Sequence, residues 1–377
     1  MVYKNFQDLK LSALGMGTMR LPVIGGDDAN IDTAAAEKMV DYALENGVNY
    51  FDTAWGYHNG NSETVIGQAL SRHPRDKFYL ATKFPGYDLS NMGKVEEIFE
   101  EQLRKCQVDY FDFYLVHNVC EMNIDAYLDP KYGTYDYLVK QKENGRIRHL
   151  GFSAHGSYDV MKRFLEAYGE KMEFCQIQLN WLDWSFQDAK AKVELLREYH
   201  LPIWVMEPLR GGKLASLPEE KAQKLKKLRP DEGIPAWAFR YLQSIDDVVV
   251  ILSGMSDMEQ LQDNIRTFET EKKLNNEEME TLLGIADEMV KQNNLPCTAC
   301  RYCTSHCPKG LNIPSLLELY NEHNLTGGGF IAPMALMAVP EDKQPSACVG
   351  CRSCEAVCPQ QIKISEALAD FKAKLGA

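Results

Sequence analysis

The sequence predicts an α/β protein: a (β/α)8 TIM barrel over residues 1–285, followed by a small, mostly helical domain over residues 286–377. Three observations carry this expectation. Short apolar runs rich in Val, Ile, Phe and Tyr recur roughly every 20 to 40 residues, and there are eight of them. Helical patterns lie between the runs, and repetition of strand, helix, strand means parallel pairing with right-handed crossovers. Eight of the 11 cysteines fall in the last 81 residues, so the end of the chain follows different rules from the rest.

In order, the runs are LSALGMGT, VNYFDTA, KFYLATKF, FDFYLVHN, IRHLGFSAH, FCQIQLNW, LPIWVMEP and VVVILSG. Five or six such units would suggest an open doubly wound sheet, whereas eight close a barrel. The first helical pattern, TAAAEKMVDYALENG, gathers Ala34, Met39, Tyr42, Ala43 and Leu44 on one side, with Gly47 as its stop. NNEEMETLLGIADEMVKQ carries Met279, Leu282, Leu283, Ile285 and Met289, and is expected to pack on the barrel exterior and end it. Beyond it, SLLELYNEHN reads as helix, TGGGF at 326–330 as a loop, and IAPMALMAV as an apolar segment.

The 377 residues suffice for a barrel of about 250 residues plus an appendage. Asp and Glu outnumber Lys and Arg by 54 to 41, and a net charge of -13 repels phosphate backbones and anionic lipid surfaces. Nucleic acid and membrane are therefore not expected as partners. No basic segment followed by an apolar one opens the chain, and no run of eighteen apolar residues occurs, so a cytoplasmic location is expected. Thiols stay reduced there, which turns the cysteines toward metal or redox chemistry rather than disulfides. Cys106, Cys120 and Cys175 are scattered among apolar neighbours and are expected to be plain buried side chains.

The other eight form two identical runs. Cys297, Cys300, Cys303 and Cys307 are spaced C-x2-C-x2-C-x3-C with Pro308 next, and Cys348, Cys351, Cys354 and Cys358 repeat the spacing before Pro359. This run wraps thiolates around the irons of a 4Fe-4S cube. A pair of zinc sites is the alternative, but zinc more often takes two C-x2-C pairs set apart. The doubled run resembles the bacterial dicluster ferredoxin module over about the last 80 residues. In that module the fourth cysteine of each run serves the other cluster. The resemblance implies one cluster on Cys297, Cys300, Cys303 and Cys358, and a second on Cys348, Cys351, Cys354 and Cys307. The 40 residues between Cys307 and Cys348 exceed what the compact ferredoxin fold usually holds and look more like the helical dicluster variant fused to oxidoreductases.

Within the barrel, chemistry sits where strands end at their carboxyl side. Asp52 ends VNYFD, Tyr57 lies five residues on, Lys83 ends FYLATK and His117 ends FDFYLVH. A phenol with a pKa near ~10 gives up a proton readily only if a neighbouring cation lowers that value. Lys83 is the natural cation, Asp52 can orient it by an ion pair, and His117 can hydrogen-bond a substrate oxygen. Each residue alone has a plainer reading: Asp as a turn-former, His or Tyr as packing, Lys as a solvated charge.

With LGMGTMR, FDTAWGY, SETVIGQAL, ATKF and YLVH, the chain resembles the aldo-keto reductases over roughly residues 1 to 285. The resemblance implies that Tyr57 is the general acid, that Asp52 and Lys83 tune it, and that His117 stands beside the carbonyl. It implies a nicotinamide cofactor, NADPH or NADH, held by Gly17, Thr18, Met19, Ser153, Gln176, Pro208, Leu209 and Asn264. The sequence departs from the family where Ala154 and His155 follow the serine and where Met206 replaces an aromatic residue. SGMSDMEQLQDN also lacks the basic residues that grip a 2′-phosphate and has Asp257 and Glu259 instead, which admits NADH. A plainer reading of that segment is a strand-to-helix turn capped by Ser256. Trp55, Trp181 and Trp184 either wall an apolar pocket or seal the barrel rim.

The function expected is an aldo-keto reductase type oxidoreductase acting on a small-molecule carbonyl or alcohol, its clusters connecting to an external carrier of ferredoxin type. Hydride carries two electrons and each cluster passes one, so a shared current needs a converter such as a flavin or a quinone-like substrate. Two other readings stand beside it: an electron-transfer or partner-binding module whose barrel no longer uses nicotinamide, and a reductase whose clusters are structural.

Overall fold

A computed structural model describes residues 1–376. The chain divides into two compact units, Met1–Thr281 and a second beginning at Leu282; the division falls inside the helix Asn276–Asn293, which also holds the expected boundary at 285. Among the described residues no helix is long and apolar enough to cross a membrane.

The first unit opens with an antiparallel hairpin, β1 (Tyr3–Phe6) and β2 (Leu9–Ser12), that the sequence reading does not include. Eight parallel strands follow: β3 (Leu14–Gly17), β4 (Tyr50–Asp52), β5 (Tyr79–Phe84), β6 (Phe111–Val119), β7 (Ile147–Ala154), β8 (Cys175–Gln178), β9 (Ile203–Met206) and β10 (Val248–Gly254). They close in sequence order, with β10 pairing β3. Each corresponds to one of the eight apolar runs. All nine residues of β6 are buried, as expected for a parallel strand covered on both faces.

Alternate residues of a strand share a face, and that period builds the interior in layers. Tyr50, Ala81, Leu115, Phe174, Trp204 and Leu252 belong to one buried cluster inside the barrel. Two residues further along, on the same faces, stand Asp52, Lys83, His117, Gln176 and Met206, so an apolar layer supports a polar one at the carboxyl ends. The hairpin supplies the floor: the Phe6 ring centroid lies 5.0 Å from those of His149 and Trp204. Gly15 permits closure, because a Cβ there would stand 2.7 Å from Leu252 Cδ2 and 2.8 Å from Val250 Cγ1.

Two local expectations need correction. The helix Thr33–Glu45 buries Ala36, Met39, Val40 and Ala43, a truer 3.6-residue stripe than the expected set; Ala34 is exposed and Tyr42 and Leu44 are half-buried. The helix Met258–Thr267 is capped by Asp257 rather than Ser256, because the Asp257 carboxylate accepts a hydrogen bond from Gln260 N at 2.8 Å.

The second unit is helical, with Ile313–Thr326, Ile331–Leu336 and Ile364–Lys374 joined by short 3-10 turns. The glycines after Thr326 form the expected loop. Its core gathers Leu311, Ile313, Leu316, Leu317, Ile362, Ile364, Leu368 and Phe371 around the buried Cys303 and Cys354.

Candidate active site and thiol centres

Lys83 is fully buried and Asp52 is 2% exposed. Lys83 Nζ donates to Asp52 Oδ1 at 2.6 Å and to Thr53 O at 2.7 Å. The same Nζ lies 5.0 Å from the Tyr57 ring centroid, and the Tyr57 and His117 rings are 6.3 Å apart, edge to face. Four residues from three strand ends and one loop are thus brought to one mouth. Burial acts to lower the Lys83 ammonium, but the charges of Asp52 and Tyr57 outweigh it and hold Lys83 above its ordinary value. Burial, with the Lys83 charge second, pushes the His117 imidazole well below its usual value. His117 is therefore neutral at physiological pH, and its buried Nδ1 has no hydrogen-bond partner among the described residues.

Tyr57 differs from expectation. Burial raises its phenol above the ordinary value, and Asp52 adds to the rise; the charge and hydrogen bond of Lys83 oppose this without reversing it. The cation is placed as expected, but desolvation is the larger effect.

Several supports escaped the sequence reading. Glu63 and Gln102 brace Lys83 from behind, with Gln102 Nε2 donating to Glu63 Oε1 at 2.7 Å and to Lys83 O at 2.9 Å. Thr18, Thr53 and Ser62 share hydroxyl contacts of 2.7 and 3.0 Å that tie the ends of β3 and β4 together. His58 pins the Tyr57 loop: its Nε2 accepts from Leu21 N at 3.1 Å while its Nδ1 donates to Asp28 O at 2.8 Å. Thr18, Thr53, Ser62 and Glu63 lie within LGMGTMR, FDTAWGY and SETVIGQAL, whereas nothing in the sequence marks His58 or Gln102.

Beside Tyr57 opens a cleft of about 390 Å³ lined by Gly17, Thr18, Met19, Gln176, Pro208, Leu209 and Asn264 together with Asp52 and Tyr57. Gln176 Oε1 is buried without a protein partner among the described residues, an acceptor that a bound donor could satisfy. Ser153 is not on the cleft wall; it is fully buried and its Oγ accepts from Asn118 N at 2.8 Å. Arg20, Glu207 and Asp263 also line the cleft. Burial raises the Glu207 carboxyl, opposed first by the Arg20 charge. The wall near the helix Met258–Thr267 presents Ser256, Gln260 and Asp263, and the Arg20 side chain lies against Gly254 beside it. None of the three tryptophans lines this cleft: Trp181 is buried, Trp184 packs edge-on to Tyr241, and Trp55 lies under Lys105 Nζ at 4.0 Å.

In the second unit Cys297, Cys300, Cys303 and Cys358 ring one cavity. The two runs match in backbone and exposure. Cys300 and Cys351 are exposed, and Cys303 and Cys354 are buried. Left-handed residues fall at equivalent places, Ala299 with Gly350 and Arg301 with Arg352. Alternating handedness turns successive amide N–H groups into a concavity that suits an anionic centre, iron-sulfur clusters among them. Non-glycine residues at positive φ are strained, and such strain is held where a site needs it.

Residues 13–287 match the sequence model of the aldo/keto reductase family, and residues 296–363 match that of the 4Fe-4S dicluster domain. The chain belongs to the aldo/keto reductase family. This family member is an oxidoreductase with a dicluster domain after its barrel. It is 27% identical over 304 residues to an NADH-specific methylglyoxal reductase of Escherichia coli, a match covering 68% of this chain and 90% of that protein. An uncharacterized oxidoreductase of Bacillus subtilis is 25% identical over 308 residues, covering 73% of this chain and 92% of that one. Among solved structures, an aldo-keto reductase of Bacillus halodurans in its holo form superposes with a TM-score of 0.62 at 26% identity, covering 76% of this chain and 96% of that one.

Proposed function

We propose that this family member reduces a carbonyl compound, or forms one in reverse, with Tyr57 as general acid and base, NADH as hydride donor and two 4Fe-4S clusters as one-electron carriers. The observation that carries the catalytic part is the buried Lys83–Asp52 pair beneath Tyr57, at the wall of a cleft that holds seven of the eight expected cofactor residues. A nicotinamide bound there supplies hydride. The chain's own groups do the rest. Tyr57 hands its phenolic proton to the substrate oxygen, and Lys83 stabilises the phenolate that remains. Asp52 fixes Lys83 in place, and neutral His117 offers a hydrogen bond to the same oxygen without adding charge. The eight run cysteines would hold the clusters, which would supply one-electron transfer; exchange between them and a hydride donor would need a converter such as a flavin or a substrate with a stable one-electron state.

NADH is favoured because SGMSDMEQLQDN carries Asp257 and Glu259 and no Lys or Arg, and because the Escherichia coli relative is named as NADH-specific. Calorimetric titration is expected to give NADH at least about tenfold tighter binding than NADPH, since an unanswered like charge costs a kcal/mol or more. Tighter binding of NADPH contradicts the assignment.

The pH profile follows from the two titrating groups. Reduction needs protonated Tyr57, whose pKa lies above its ordinary value of 10.0, and neutral His117, whose pKa lies well below 6.5. Turnover in reduction at saturating cofactor is therefore expected to be flat from about pH 6.5 to about pH 10 and to fall above that; alcohol oxidation, which needs phenolate, rises across the range. A reduction limb near neutrality would count against Tyr57 as the donor.

A further inference from the structure

We propose that the acid-free segment 297–313 of the second unit, with exposed Cys300, Arg301, Tyr302 and Lys309, is the docking surface for an acidic one-electron carrier protein. The proposal rests on the reading above that the clusters exchange electrons. The step is a bare transfer: one electron leaves the carrier, one enters the centre behind Cys300, and no bond is made or broken.

The first observation is charge. The whole chain is strongly acidic, yet from Cys297 to Ile313 it has Arg301 and Lys309 and not one Asp or Glu. Lys343 Nζ donates to Lys309 O at 2.5 Å, but it is itself paired with Asp342 at 3.9 Å and adds no free charge. Arg301 and Lys309 are exposed, and neither has an ion pair among the described residues. The second run is built on the same backbone but is answered from within: Arg352 and Lys363 lie 3.7 and 3.8 Å from the same Glu366 carboxylate. Cations serving only to offset the charge of a bound cluster have no reason to differ between the runs in this way. Unpaired cations in an acid-free segment of an acidic chain steer a negative partner to that place, while the rest of the chain repels it.

The second observation is access. Arg301 and the exposed Cys300 line the cavity ringed by Cys297, Cys300, Cys303 and Cys358. Electron tunnelling weakens steeply with distance, so a partner must approach where a ligand thiol reaches the surface. Tyr302, 62% exposed, adds an aromatic side chain beside it. Arginine and aromatic residues are the types enriched in interface cores, and electron-transfer encounters use small, weak interfaces.

The test follows iron-sulfur absorbance by anaerobic stopped flow, with the full-length cluster-loaded protein mixed with a reduced ferredoxin of strongly negative net charge. The rate is expected to fall steeply with salt. Lys309→Glu should lower the low-salt rate at least about tenfold and flatten the salt dependence, and Arg301→Gln should act in the same direction. Lys363→Glu, at the self-paired run, should stay within about twofold of the unmodified protein. Iron content, midpoint potential and reduction by photoreduced deazaflavin should be unchanged in Lys309→Glu and Lys363→Glu. An unchanged rate in Lys309→Glu, or an equal loss in Lys363→Glu, overturns the docking surface. So does a midpoint shift in step with the rate loss, which would make the cations charge offsets for the cluster. Clusters that no reductant bleaches in the unmodified protein overturn the electron-transfer reading itself, and the docking surface with it.

Discussion

Tyr57→Phe is expected to lower carbonyl turnover by about 10²- to 10⁴-fold, the range that a positioned general acid contributes. The substitution is close to isosteric. Phe keeps the ring that lies 5.0 Å from Lys83 Nζ and 6.3 Å from His117, and removes only the hydroxyl. Lys83 stays paired with Asp52 at 2.6 Å, so the buried cation is not orphaned and the barrel keeps its stability. NADH affinity should hold within a factor of a few, and iron content and cluster absorbance should not change. Turnover unchanged in steady-state assays at saturating cofactor would remove Tyr57 from the mechanism.

Cys303→Ala is the second large effect. Cys303 is 7% exposed, packs in the core of the second unit and lines the thiol cavity, so the change removes both a ligand and a buried contact. About half of the roughly eight irons that two cubes hold should be lost. Because a bound metal centre contributes folding free energy, the second unit should also melt at lower temperature. Cys175→Ala, in β8 of the barrel, should leave the iron untouched, since that thiol is a buried packing group. Full iron retention in Cys303→Ala would show that this run does not ligate.

The barrel was legible because its strands obey a period of two and its helices a period of 3.6, and both survive in sequence without knowledge of neighbours. Asp52, Lys83 and His117 stood out for the same reason: each is a polar residue that closes an apolar run, and the inward face of each strand carries it one step above the packed layer. The thiol runs were legible because cluster ligation fixes spacing within a few residues. What escaped depends on contacts between distant segments. The β1–β2 hairpin is needed only because Phe113, Phe174 and Trp204 leave an apolar floor to be covered, which Phe6 does from over a hundred residues away. Ser153 Oγ accepts from the backbone N–H of Asn118 on the neighbouring strand, a contact that no motif records. The direction of the Tyr57 shift depended on how completely the loop pinned by His58 buries the phenol, a balance of two opposed effects that no motif records.

If the nicotinamide cleft and the clusters share one electron path, as proposed, NADH added to anaerobically purified protein bleaches the broad iron-sulfur absorbance of its visible spectrum. An unchanged spectrum, in a preparation that still reduces an aldehyde with NADH, would contradict it and leave the barrel working alone.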